Sequence, residues 1–267
     1  MKWIFLLKLM ATVFSLTACL SVSASHYRLG VFPHLPVAQL IKVYGPIAKD
    51  FQQLLGHSVS MKSAKNFGQF IQKIKQESFD IAFIQPFDYP TAKQFGYYPV
   101  AKRGGVLRAI TIVRKDSALS GIEELKNKII AGPPSTAAVT RLVKKALTNQ
   151  GIDFDNEVTF IYTRSHFSCV RKVVTGKADA CMTAMLPVRL SGSLDKNVKI
   201  LHKTKPFPMP LFVFHERLPK DHAELLKKQI LSWGENHPVR KIFKTGSLKP
   251  FTIATDEEYD VIHQFGD

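Results

Sequence analysis

The stretch AGPPSTAAVTRLVKKAL, residues Ala131 to Leu147, decides how the chain is read. It runs from the end of a strand through a proline turn and a Ser-Thr pair into a basic helix. Val139, Leu142, Val143, Ala146 and Leu147 fall on one face of that helix, and Gly151 stops it. Ser135 is placed to cap the helix, leaving first-turn N–H groups pointing outward. With the partial positive charge of the helix dipole, such a start suits phosphate, sulfate or carboxylate. A Ser-Thr pair before an apolar run is also how many ordinary helices begin. No base to activate a nucleophile, no metal ligand and no P-loop lysine accompanies it, so an anion held here has nothing to process it.

The same strand-to-helix unit repeats on either side. Upstream, YRLGVFP (Tyr27 to Pro33) reads as a strand, and Leu40, Tyr44, Ile47, Phe51 and Leu54 follow at helical spacing. Gly45-Pro46 should kink or divide that helix, and Gly56 should end it. SVSMKSA is a strand, NFGQFIQKIKQES a helix capped by Asn66, and FDIAFIQP a buried strand ended by Pro86. Downstream, VTFIYT, ADACMTA and NVKILHKT are strands, with a helix capped by Ser165 after the first. LFVFHERLP is a last strand, followed by helices around Ala223 to Asn236 and Asp256 to Gln264. Alternation of this kind builds mainly parallel sheets covered by helices. The pattern divides into two α/β lobes, residues 25–108 with 211–267 and residues 109–210. The chain crosses between them near Arg108 to Val113 and again near Pro210 to Phe214. Ligands of open α/β sheets sit beyond the carboxyl ends of strands, so two lobes can present such edges across a cleft.

Residues 1–24, MKWIFLLKLMATVFSLTACLSVSA, have a basic start, a short apolar run and small residues at the end. This is the pattern of a secretory signal peptide. Val22-Ser23-Ala24 suits simple cleavage before Ser25, and Leu16-Thr17-Ala18-Cys19 resembles a lipobox that would leave Cys19 lipidated. No later stretch is apolar for long enough to span a membrane. Cys169 and Cys181 remain; in an oxidising compartment they form a disulfide or stay as buried thiols.

A formal charge of +16 is spread along the chain rather than run together. It makes a basic surface, or steers an anionic ligand or partner. Zinc-finger spacing, an RNP-like motif and a basic arm are all missing, which argues against nucleic acid. GxSxG, HExxH, GxxxxGK[ST] and GxGxxG are missing too, which argues against the corresponding enzymes. No metal or cofactor is expected. His166 stands at the helix start after Ser165, where it can donate to an anion or simply pack. Tyr89 follows a strand's carboxyl end, and its hydroxyl can reach a ligand or its ring can fill the core.

The segments LGVFPHLP, YGPIAKDFQQLLG, FDIAFIQPFDYPTAKQFGYYPVA, IVRKDSALSGIEELKNKIIAGPPST and SHFSCVRKVVTGKADA occur in an order and spacing that is itself informative. Together they resemble the periplasmic substrate-binding proteins of phosphate, phosphite and phosphonate ABC transporters, from about Leu29 to Ala184. The resemblance implies a two-lobed type II periplasmic-binding fold with a ligand cleft between the lobes. It implies a receptor that hands its ligand to a membrane permease; with the export pattern and the missing enzyme motifs, an exported, non-catalytic protein is expected, acting as a monomer. It also implies oxyanion contacts from Ser135, Thr136, Tyr89 and His166. The family usually has Ser-Thr-Ser-Gly where this chain has Ser135-Thr136-Ala137-Ala138. It usually has Tyr-x-Ser where this chain has Leu107-Arg108-Ala109, and an aspartate where Phe167 stands. These departures remove hydroxyls and make the cleft more apolar. Arg108 could compensate, because guanidinium pairs well with phosphate. The ligand is therefore expected to be a phosphorus oxyanion or an organophosphonate, with a more apolar organic molecule as the alternative. A sensory module reporting to a membrane kinase is the other alternative for the same fold.

Overall fold

Apolar runs alternating with amphipathic helices produce two sheets in the computed structural model, which describes residues 26–234 and 250–265. The first lobe begins with β1 (His26–Val31), α1 (Val37–Leu55), β2 (Ser58–Lys62), α2 (Phe67–Lys75) and β3 (Ile81–Ile84). It continues through a 3-10 turn over Pro86–Asp88, α3 (Tyr89–Gln94) and β4 (Tyr97–Arg103). The second lobe contains β5 (Ala109–Arg114), β6 (Ile129–Gly132), α4 (Ala138–Thr148), β7 (Thr159–Tyr162) and α5 (His166–Val174). It is completed by β8 (Ala180–Ala184), α6 (Met185–Leu190) and β9 (Val198–Lys203). The chain then returns to the first lobe with β10 (Leu211–His215), α7 (Lys220–Ser232) and β11 (Phe251–Ile253).

The first sheet has the order β11-β4-β10-β3-β1-β2 and the second β7-β6-β8-β5-β9. Both are mixed. In the first, β1 pairs parallel with β2 and β3, and in the second β6 pairs parallel with β7 and β8. The strands nearest the two crossings, β10 and β5, run antiparallel to their neighbours. Where the chain passes between lobes, Leu107 and Phe207 form an antiparallel bridge with N–H···O distances of 2.8 and 2.9 Å. This pair of strands at the crossing leaves the cleft between the sheets.

Local signals explain most of the elements. Asn66 caps α2 by accepting from Gln69 N–H at 2.8 Å, and Ser165 caps α5 by accepting from Ser168 N–H at 3.3 Å. Gly56 ends α1 at φ 68°, a left-handed conformation that favours glycine. Three expectations change. Gly45-Pro46 does not divide α1, which runs through Pro46 as one helix. The segment over Glu257–Phe265 is 3-10 rather than α-helical. Ser135 does not cap α4: Ala137 N–H bonds to Pro134 O at 2.9 Å, so a turn occupies residues 134–137 and the helix starts only at Ala138.

In the first lobe Phe51, Phe83, Phe212, Trp233 and Phe251 pack as one aromatic cluster. Each ring removed from water in this way contributes about 1.5–3 kcal/mol. In the second lobe Cys169 of α5 is bonded to Cys181 of β8 with the Cα atoms 5.6 Å apart, which resolves the choice between disulfide and free thiols. No described helix is long and apolar enough to cross a membrane. The proposed export segment lies outside the described residues.

Candidate functional site

A cavity of about 80 Å³ lies between the lobes, beyond the carboxyl end of β3 and against the start of α4. Its walls are mainly apolar. Phe32, Leu35, Phe67 and Phe83 come from the first lobe, Ala137, Ala138, Val139 and Ala184 from the second, and Leu107 and Met209 from the crossings. Four side chains supply the polar groups: His34, Gln85, Arg103 and His166. A few converging polar groups in an apolar hollow are the usual make-up of a small-molecule site.

The two histidines are neutral. His34 Nδ1 donates to Phe32 O at 2.9 Å, which leaves Nε2 to accept from the Tyr44 hydroxyl at 3.3 Å. Burial pushes its pKa down to about 3, with the nearby His166 and Arg103 adding to the effect. His166 Nδ1 lies 2.9 Å from Thr183 Oγ1, and burial lowers its pKa to about 4. Arg103 is different. Burial lowers its pKa too, but a guanidinium stays charged at any ordinary pH. Its Nε is buried without a hydrogen-bond partner. Among the described residues lining the cavity it is the one fixed cation.

Gln85 closes the remaining side. It is 3 % exposed and stands at the carboxyl end of β3. Its Oε1 accepts from Ala138 N–H at 2.9 Å, and its Nε2 donates to Thr136 O and to Asp88 Oδ1, both at 2.9 Å. A backbone N–H only donates and a carbonyl only accepts, so the amide's orientation is determined. This one side chain therefore joins the lobes and caps the start of α4. Arg141 of α4 adds a second contact across the cleft, 4.8 Å above the Phe87 ring. Burial raises the Asp88 pKa to about 7, against the hydrogen bond from Gln85 and the charge of Arg141.

These shifts predict how stability changes with pH. Unfolded histidines take up protons below about pH 6.5, which His34 and His166 refuse until far lower pH, so acidification destabilises the fold through both. Asp88 acts in the opposite sense, since it binds its proton in the folded state already near pH 7. His202 and His215, also lowered by burial, act in the same sense as His34 and His166, and together they outweigh Asp88 to give a net loss as pH falls from 6.5 to 4.5. We expect Tm to drop by roughly 5 °C over that window, and to drop further in Asp88→Asn, where the opposing contribution is gone. Thermal melts at both pH values check this.

Of the five residues nominated from sequence, the cavity is lined by His166. Ser135 and Thr136 are exposed and line a separate open groove with Arg141, Lys144 and Lys145. In that groove Lys144 already meets Asp155 at 2.7 Å. The Tyr89 hydroxyl donates to Asp256, which also pairs with Lys93 at 2.9 Å. Arg108 is exposed, and its Nη1 donates to Thr204 O at 2.8 Å, joining the two crossing segments. Arg103, Gln85 and His34 were not foreseen. A polar residue ending the apolar run of FDIAFIQP is the one signal that could have pointed to Gln85.

The architecture and the cleft define a two-lobed receptor for a small molecule. Residues 29–259 match the model of the family described as ABC transporter, phosphonate, periplasmic substrate-binding protein, and the chain belongs to that family. It is a transport receptor rather than an enzyme, its partner is a membrane permease, and the family works in the periplasm. Among solved structures it is similar to PhnD1 from Prochlorococcus marinus in complex with methylphosphonate, at 17 % identity and TM-score 0.81, covering 91 % of this chain and 98 % of that one. It is also similar to a binding protein component of an ABC phosphonate transporter from Pseudomonas aeruginosa, at 17 % identity and TM-score 0.80, covering 91 % and 86 %. A histidine kinase sensor domain shares the fold at TM-score 0.60 and 13 % identity, covering 84 % and 98 %. No curated relative matches the chain.

Proposed function

We propose that this receptor captures an organophosphonate, or a simpler phosphorus oxyanion such as phosphite or phosphate, between its lobes and passes it unchanged to the permease. The observation that carries the reading is Arg103, whose unpartnered Nε brings a positive charge into a cavity with two neutral histidines. A half-buried guanidinium with an unpartnered Nε is costly in an apolar hollow, and a ligand's anion offsets that cost. His166 is the proposed contact from the second lobe. A ligand touching both lobes favours their closed arrangement. Tyr89, Ser135, Thr136 and Arg108 are assigned to the walls and crossings around the site rather than to the ligand. The apolar lining supports a second reading, in which the ligand is a more apolar organic anion. Residues 1–24 are proposed to direct export, with maturation at Ser25 or lipidation at Cys19, and the receptor to act as a monomer. The Cys169–Cys181 disulfide fits an oxidising compartment.

The test is calorimetric titration of the chain from Ser25 onward with phosphate, phosphite, methylphosphonate and 2-aminoethylphosphonate, with sulfate as control. Selective binding of one phosphorus compound at micromolar concentration or below is the expected result. Failure of all four at millimolar concentration would overturn the reading.

A further inference from the structure

A helix start facing a cleft is the natural seat for a ligand's oxyanion, because its free N–H groups and dipole need no counter-charge. Here that seat is filled from within the molecule. Gln85 reaches across from β3, accepts the Ala138 N–H and ties itself to Thr136 O. Asp88 fixes the carboxamide from behind through its bond to Nε2. Ala137 and Ala138 stand at the helix start, the Thr140 hydroxyl is spent on Pro133 O, and Ser135 and Thr136 line the other groove. The charged group left for an anion is the guanidinium of Arg103 on the opposite lobe, beside the neutral His34 and His166. The rest of the cavity offers Phe32, Leu35, Phe67, Phe83, Val139 and Met209, which suit carbon rather than oxygen.

We propose that Gln85 is a specificity residue: its carboxamide seals the helix start against oxyanions and sets the site's preference for an anion with an apolar substituent over a small free oxyanion. This deepens the reading given under Proposed function and rests on it. A free oxyanion such as phosphite is polar on nearly every side. It would lose water there and find one charged partner, with the Ala138 N–H already taken by Gln85. An alkylphosphonate presents its head to Arg103 and its chain to the apolar wall, so its binding does not need the sealed N–H.

The experiment titrates phosphite and butylphosphonate into wild type, Gln85→Ala and Gln85→Asn, with circular dichroism to show that each is folded. Gln85→Asn keeps the amide but is one methylene too short to reach Ala138. Losing the bonds between lobes alters closure for both ligands alike, so the ratio of the two affinities is the quantity read. Wild type is expected to prefer butylphosphonate, and both variants to shift the ratio toward phosphite by about tenfold or more, the equivalent of one hydrogen bond to a charged group. An unchanged ratio in the folded variants overturns the seal. Should wild type bind neither compound, the ligand reading fails on its own. Phosphite binding that appears only in the variants would then uphold the seal, and its absence there would overturn it.

Discussion

Arg103→Met is expected to weaken organophosphonate binding by about 100-fold or more, and to leave the protein as stable as wild type or more so. The first half follows from what the variant removes. Methionine keeps a straight, flexible stem of similar length and fills the same space, but the charge is gone. Truncating one partner of a buried, hydrogen-bonded charge pair costs about 2–5 kcal/mol of binding, and 2.8 kcal/mol is about 100-fold. The second half follows from the ligand-free site. There the Arg103 Nε is buried without a partner, and the neighbouring groups, His34, Tyr44 and His166, carry no negative charge to offset it. Replacing such a cation by an apolar side chain removes a desolvation cost. Calorimetric titration and a thermal melt of the same preparation read both halves. Loss of binding with an unchanged or higher Tm identifies a residue kept for its ligand. A large fall in Tm would show that Arg103 supports the fold, and unchanged affinity would remove it from the site.

The fold was legible because its signals are local. Asn66, Ser165 and Gly56 act on the neighbouring turn, and the apolar spacing of α1, α2 and α4 needs only a helix's own period. The site was less legible because its partnerships are not local. Gln85 acts on Thr136 and Ala138 from some fifty positions away and from the other lobe, so nothing near it in the chain marks its role. Arg103 and Arg108 are five residues apart beside the same crossing. Sequence favoured Arg108, but Arg103 closes a strand whose carboxyl end faces the cavity. That strand was itself obscured by Pro99, which cannot donate to a ladder and usually marks an edge. It is tolerated because β11 spans only Phe251–Ile253 and pairs with Ala101 to Arg103, leaving Pro99 with β10 alone at an irregularity in register. Ser135 and Thr136 differ for another reason. Pro133-Pro134 and the turn after them delay the helix, so the hydroxyls line a groove with Arg141 and Phe265 rather than the cavity.

Trp233→Ala is expected to cost about 3–5 kcal/mol, the range for removing a large buried aromatic ring, and so to lower Tm by roughly 10 °C. Trp233 ends α7 and is fully buried. Its ring stacks on Phe51 of α1 with centroids 5.8 Å apart and meets the edges of Phe212 and Phe251 at 6.0 and 5.5 Å. Its Nε1 donates to Asp50 Oδ2 at 3.2 Å. The residue thus joins α7 and α1 to two strands of the first sheet, and that sheet carries Arg103 and Gln85 at its edge on the cleft. Alanine leaves a cavity bordered by three phenylalanines and an aspartate that loses one donor. Trp233→Phe separates the two effects, since it keeps an aromatic ring and gives up the hydrogen bond, and should cost only about 1–2 kcal/mol. In the chain from Ser25 onward Trp233 is the sole tryptophan, so wild-type unfolding can be followed by its own fluorescence and the variants by circular dichroism. Well below the new Tm, ligand affinity should stay within about threefold of wild type, because Trp233 itself does not line the cavity and reaches it only through Phe212 and Phe83. A fall in Tm of only a degree or two would mean that α7 is held chiefly by other contacts, and a large loss of affinity in a folded variant would mean that the cluster sets the geometry of the cleft.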